Sequence, residues 1–327
     1  MASILEVRDL QVAYRSREGE LRAALNRVGF CLESGEVLGV LGESGSGKST
    51  LAVSLLRLFH RNSVVASGAV LYKGKDLLKA ESDELQAIRG RDISLIFQEP
   101  SAALHPTIRV NQQVRRILAA HGIGDRSQLD LRTNEVFDSL FGEEAARIAR
   151  SYPHQLSGGQ RQRVLIAQAI ACRPSVVVAD EPTASLDPTT QMEILNVFRG
   201  LRRSLGLTMI FITHNPALLS KFADRVLVLY GGRVAELGPG GDVLVSAKHP
   251  YTRALFRSMP PLDVLHDAGK RVLPVIPRDL NMERLPQTGC AFEPRCPERM
   301  EICKSKDPGL VNLSESHTVS CFRYETQ

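Results

Sequence analysis

The chain has 327 residues, 43% hydrophobic and 24% charged, enough for one large α/β domain plus a smaller appendage, which excludes wholesale disorder. A formal net charge of +5 is too small for this length to argue for nucleic acid, and no apolar run approaches the roughly 20 residues that a membrane-crossing helix needs. The opening Met1-Ala2-Ser3-Ile4-Leu5-Glu6 lacks the basic region, apolar stretch and cleavage site of a secretory leader, so residence in the cytoplasm is expected.

Val7, Leu10, Val12 and Tyr14, ahead of a charged loop at 15–20, predict an opening antiparallel hairpin. Val37–Leu41 then reads as a buried strand. It runs directly into Gly42-Glu43-Ser44-Gly45-Ser46-Gly47-Lys48-Ser49-Thr50, which fits G-x-x-x-x-G-K-[ST]. Leu51, Leu55 and Leu58 follow at helical spacing, completing a strand–loop–helix unit. In such a unit the loop amides and the positive helix end face phosphate groups. Lys48 adds a mobile cation, Ser49 places a hydroxyl on Mg²⁺, and Thr50 supports the α-phosphate region. A glycine-rich turn with no ligand is the alternative.

Ile93–Phe97 predicts a second strand, with Gln98 at its end, and 106–152 reads as helical. Val176–Ala179 ends in two acids, Asp180 and Glu181. Burying both is costly unless a cation or a reaction offsets the charge. On that reading Asp180 holds Mg²⁺ through its water shell and Glu181 orients and deprotonates an attacking water; a solvated acidic pair is the other reading. Strand Thr208–Thr213 ends in His214. Given the phosphate loop, Gln98 is expected to bind metal or water, and His214 to donate to a phosphate oxygen. Val226 to Tyr230, Gly231-Gly232 and Arg233 to Glu236 predict a closing hairpin. Strands and helices alternating to about Glu236 indicate a mostly parallel sheet covered on both faces.

Tyr152-Pro153-His154-Gln155-Leu156-Ser157-Gly158-Gly159-Gln160-Arg161-Gln162-Arg163 contains an S-x-x-Q capping box, Ser157 with Gln160, opening a helix whose two glycines expose its amides. This segment resembles the signature of ABC-transporter ATPases, and from the start to about Glu236 the motifs stand in that family's order. The resemblance implies a P-loop NTPase of ABC type within residues 1–238, with a mostly parallel sheet core, an antiparallel β subdomain and a helical subdomain at about 106–160. It implies ATP hydrolysis with Mg²⁺, Glu181 acting as base and Lys48, His214 and the facing signature stabilising the transition state. It further implies a head-to-tail dimer with a second ABC ATPase subunit, identical or homologous. Leu156, Ser157, Gly158, Gly159 and Gln160 of one copy face the loop of the other, Asp187 in Ala184-Ser185-Leu186-Asp187 lies at the interface, and Tyr14 stacks on adenine. Two membrane permease subunits, engaged near Gln98 and 99–107, and an extracellular or periplasmic solute-binding protein complete the implied assembly, with the chain on the cytoplasmic face of the membrane and no nucleic acid partner. Asn215 departs from the Asp common after the histidine.

Beyond Gly238, prolines at 260, 261, 274, 277 and 286 predict an extended connector within a 239–289 segment, followed by a cysteine module at 290–327. His249-Pro250-Tyr251-Thr252, and the wording from Gly289 to Cys296, resemble the C-terminal extension of ATPases serving peptide, dipeptide and nickel importers. Cys290, Cys296, Cys303 and Cys321 are spaced C-x5-C-x6-C-x17-C, without the paired C-x2-C knuckles usual for zinc. A [4Fe–4S] cluster is the expected ligand, Zn²⁺ or no metal the alternatives. His317 is expected to be a supporting or surface residue rather than a ligand, and Cys31 and Cys172 buried small residues. Two further readings are a non-transport ABC ATPase acting on DNA or ribosomes, and an ATPase regulated by its C-terminal metal. The first is disfavoured because no coiled-coil or zinc insertion and no second cassette is present.

Overall fold

The computed structural model describes residues 3–258 and 288–325; the proline connector lies outside the described residues. In chain order the strands are β1 (Ser3–Arg15), β2 (Leu21–Glu33), β3 (Val37–Leu41), β4 (Ser63–Tyr72), β5 (Lys75–Asp76), β6 (Ile93–Ile96), β7 (Val176–Asp180), β8 (Thr208–Ile212), β9 (Arg225–Tyr230), β10 (Arg233–Pro239), β11 (Val311–Asn312) and β12 (Thr318–Val319). They form an antiparallel sheet ordered β2-β1-β4-β5 and a larger one ordered β11-β12-β10-β9-β3-β8-β7-β6.

β6, β7, β8, β3 and β9 pair in parallel. Every residue of β3, β7 and β8 is buried, because layers cover both faces of the sheet. The two-residue period sorts them: Val177, Ala179, Met209 and Phe211 join the helices Arg126–Phe141, Gly158–Ile170 and Pro188–Leu205. Val176, Val178, Ile210 and Ile212 pack toward the antiparallel sheet and the helix Lys48–Leu55. The region expected to be helical contains Val110–Ala120, Arg126–Phe141 and Ala145–Ala149.

Two local expectations are corrected. Leu58 lies past its helix, which ends in a Schellman turn: Arg57 takes φ 51°, Arg57 N–H donates to Ser54 O at 3.0 Å and Leu58 N–H to Val53 O at 2.8 Å. Cys31 is exposed and Cys172 half-buried, and for Cys31 the cause is the alternation of β2, which turns Phe30 and Leu32 inward and the cysteine outward.

The chain's end joins the large sheet. β12 pairs antiparallel with β10, Glu236 opposite Val319 and Leu237 opposite Thr318. Glu236 is fully buried, and its carboxylate accepts the Lys248 and His249 amides at 2.8 and 2.9 Å and meets His317 Nε2 at 2.9 Å. His317 is therefore a buried anchor and not a surface residue. His249 caps the helix Pro250–Arg257, its Nδ1 accepting the Tyr251 N–H at 3.0 Å.

Burial pushes His249 down to about 4, whereas an unfolded histidine titrates near 6.5. Between those values the unfolded chain binds a proton that the folded one refuses, so stability present above about 6.5 is lost as pH falls toward 4, by on the order of 3 kcal/mol in all. Urea unfolding at pH 7, 6 and 5 is expected to show this decline, and His249→Asn, which keeps a capping acceptor, to flatten it.

Candidate active site

Parallel pairing places the ends of β6, β7, β8 and β3 side by side: Ile96 lies opposite Ala179, Asp180 opposite Ile212 and Ile212 opposite Val40. The residues following those ends are Gln98, Asp180 with Glu181, His214 and the loop 42–50. Four segments remote in sequence thus meet along one sheet edge, where open α/β sheets collect ligands.

The loop is held in tight quarters. A Cβ on Gly42 would lie 2.4 Å from Leu229 O, and Gly47, at φ 103°, would bring one to 2.6 Å from Ala24 O. The closing hairpin's turn braces it, Gly232 N–H donating to Ser46 O at 3.0 Å. Gly45 (φ 80°) and Gly47 let the chain enter the helix Lys48–Leu55 with successive amides turned outward. Ser46 Oγ is buried without a partner, as is one oxygen of Asp180, and both are groups that an incoming phosphate or cation would satisfy. Ser44 is exposed on the rim of the loop.

Lys48 is 5% exposed and donates to Gly42 O at 2.8 Å and Glu43 O at 2.9 Å, with Glu181 Oε1 at 3.9 Å. Burial lowers its pKa against the raising influence of Glu181, Asp180 and Glu43. Burial raises that of Asp180, which the Ser49 hydroxyl partly offsets by a hydrogen bond. A Ser hydroxyl beside a desolvated, half-satisfied carboxylate is a donor set that suits Mg²⁺. Glu181 holds φ 46°, a conformation a non-glycine residue keeps only under constraint, and its Oε2 lies 3.0 Å from His214 Nδ1. His214 is 59% exposed, and Gln98 is also exposed, so both open onto the edge. Asn215, in place of Asp, caps the short helix Pro216–Leu219 by accepting the Ala217 N–H at 3.0 Å. Tyr14 Oη meets Thr50 Oγ1 at 3.1 Å, tying the antiparallel sheet to the loop's helix.

The capping box forms as expected: Ser157 Oγ accepts the Gln160 N–H at 3.2 Å and Gln160 Oε1 accepts the Ser157 N–H at 3.1 Å. Gly159 is required by close approach, since a Cβ there would meet Thr190 Cγ2 at 2.6 Å. Asp187 caps Pro188–Leu205 through the Thr190 N–H and hydroxyl, at 3.1 and 2.7 Å. Ser157 and Gly158 are exposed, but Leu156 is 3% exposed within the core, so its side chain serves packing and is not offered to a facing molecule.

Sequence reasoning passed over two residues that reach the loop at Glu43: Tyr251, within the His-Pro-Tyr-Thr run, and Arg295, next to Cys296. Cys290, Cys296, Cys303 and Cys321 line one small concavity. Burial pushes the Cys290 thiol up to about 11, and neighbouring Cys303, Cys296 and Cys321 add to the rise. Among the described residues no three His, Cys, Asp or Glu side chains stand close enough together to hold a metal ion, so the thiols share a pocket without forming a ready coordination shell.

Two family descriptions match the chain: "ABC transporter" over residues 25–184 and "Oligopeptide/dipeptide transporter, C-terminal region" over residues 235–303. The oligopeptide transport ATP-binding protein OppD of Escherichia coli is 37% identical over 321 residues, covering 98% of this chain and 93% of its own. The dipeptide transport ATP-binding protein DppD of Bacillus subtilis is 38% identical over 325 residues, covering 98% and 95%. Among solved structures, the dimeric ATP-binding cassette MJ0796 bound to ADP and Pi superposes with a TM-score of 0.64 at 30% identity, over 72% of this chain and 98% of that one.

The contrast between two glycines tests the loop's packing. Gly45→Ala meets nothing within 4 Å and carries only the strain of its backbone, about 1–3 kcal/mol, whereas Gly47→Ala adds a collision with Ala24 O and Leu25 Cδ2. Urea midpoints are expected to fall further for Gly47→Ala than for Gly45→Ala.

Proposed function

We propose, from the premise that this chain belongs to the ATP-binding proteins of ABC transporters, a division of labour among its residues as the ATP-hydrolysing subunit of an oligopeptide or dipeptide importer. The observation that carries it is the row of Lys48, Asp180, Glu181 and His214 on one strand edge, with Glu181 held between Lys48 and His214 at 3.9 and 3.0 Å. Loop amides from Gly42 to Ser49 and Lys48 grip the phosphates, and Tyr14 and Thr50 border the nucleoside end. Ser49, Asp180 and Gln98 hold Mg²⁺, which when bound neutralises charge on the phosphates. Glu181 takes the proton of the attacking water while His214 orients Glu181 and donates to a phosphate oxygen.

A second ABC ATPase subunit, identical or homologous, supplies Ser157, Gly158, Gly159 and Gln160 across a head-to-tail interface, with Asp187 beside them. The dimeric form of MJ0796 supports this reading. The exposed edge at Gln98 and 99–107 engages two membrane permease subunits, served by an extracellular or periplasmic solute-binding protein. Among the described residues no helix is long and apolar enough to cross a membrane, which fits a peripheral place on the cytoplasmic face. The cassette spans 1–238 with its helical part at about 106–160, and the extension divides at about 289.

We infer further that the four cysteines bind a [4Fe–4S] cluster, with Zn²⁺ the alternative. Anaerobically purified protein is expected to contain iron and acid-labile sulfide and to absorb in the visible; colourless protein with stoichiometric zinc would replace the cluster by zinc. For the catalytic reading, Glu181→Gln is expected to bind MgATP, to hydrolyse it more slowly by on the order of 10² to 10⁴, and to accumulate as a dimer on gel filtration. Turnover near that of the wild type would remove Glu181 from its role.

A further inference from the structure

Glu43, the second residue of the phosphate loop, is gripped from the far end of the chain. Arg295 Nη1 and Nη2 donate to its two carboxylate oxygens at 2.9 and 3.0 Å, a fork across 252 residues of sequence, and Nη1 also donates to Tyr230 Oη at 3.2 Å. The Arg295 side chain is 5% exposed, so this is not a solvent-screened surface pair. Tyr251, completely buried, accepts the Glu43 N–H on its hydroxyl at 2.9 Å. Tyr230, Tyr251 and Phe292 pack ring against ring at 4.5 to 5.4 Å between centroids, which fixes the two hydroxyls in place.

The third hold on Glu43 comes from within the loop: its carbonyl accepts Lys48 Nζ at 2.9 Å. Lys48 uses two of its three N–H donors on Gly42 O and Glu43 O, so a phosphate that draws on this ammonium competes with its hold on the loop. Arg295 and Tyr251 hold the Glu43 peptide in the shape that presents the loop amides independently of Lys48. A loop already ordered binds its ligand without a further entropic cost.

We propose that Arg295, together with Tyr251, is a positioning residue for the phosphate loop, so that the cysteine-bearing C-terminal segment sets this chain's affinity for ATP. The inference rests on the reading of residues 42–50 as the triphosphate site. It is independent of what the thiols bind.

The test uses the full chain, with a fluorescent ATP analogue and Mg²⁺ for Kd, and the complete transporter for KM and kcat. Arg295→Met is expected to raise Kd and KM about tenfold and to leave kcat at saturating ATP within about twofold. Glu43→Gln is expected to raise Kd similarly. The double variant should be no weaker than Arg295→Met alone, because the two residues act through one contact. Arg295→Lys, which keeps the charge without the fork, should recover part of the loss. An unchanged Kd in Arg295→Met, or losses that multiply in the double variant, overturns the proposal. Should Arg295→Met fail to fold, Tyr251→Phe removes only the acceptor of the Glu43 N–H, and an unchanged Kd there is equally fatal. Lys48→Ala separates the two readings: if it binds the analogue as the wild type does, the site assignment fails rather than the positioning.

Discussion

Parallel pairing of four short strands is the constraint from which the site follows. Because β6, β7, β8 and β3 run the same way, the residues after each strand must emerge at one edge, whatever their separation along the chain. Gln98, the Asp180–Glu181 pair, His214 and the phosphate loop are neighbours for that reason. Were one strand reversed, its residue would sit at the opposite edge, some five residues of strand away. Burial of β3, β7 and β8 on both faces fixes the register, since a slip of one residue would exchange the sets facing the helices and the antiparallel sheet.

The same burial makes the edge electrically demanding. Asp180 is pushed toward protonation and Lys48 toward neutrality, each by loss of water, and each is partly restored by the other; Glu181 also favours the charged Lys48 but drives Asp180 further toward protonation. An uncompensated buried charge is expensive, so such a set persists where ligand charge completes it. The orphaned Ser46 hydroxyl and Asp180 oxygen mark where completion is missing. Glu181, at φ 46° with His214 and Lys48 on either side, belongs to the same incomplete arrangement.

What the sequence made legible was governed by local physics. The glycine spacing of 42–47, the apolar runs of the parallel strands and the Ser157–Gln160 box each act over a few residues, and each formed as expected. Where the expectation failed, something non-periodic intervened: a Schellman turn at Arg57 stopped a helix before Leu58, and the pleat of β2 turned Cys31 outward. His317 and Arg295 were opaque for another reason. Their partners, Glu236 and Glu43, lie 81 and 252 residues away, and no periodic pattern encodes a contact of that reach.

The C-terminal segment is therefore not a pendant module on a connector. It adds β12 to the edge of the nucleotide-binding sheet, buries the Glu236 carboxylate against His317 and closes over Tyr230 and Tyr251 beside the phosphate loop. The Glu236–His317 link is polar and buried, and removing one partner of it costs more than the link itself contributes, because the other is left desolvated and unpaired. Cassette and extension thus resist being separated. The four thiols line one concavity together with Phe292, whose ring packs against Tyr251, the residue that holds the loop at Glu43.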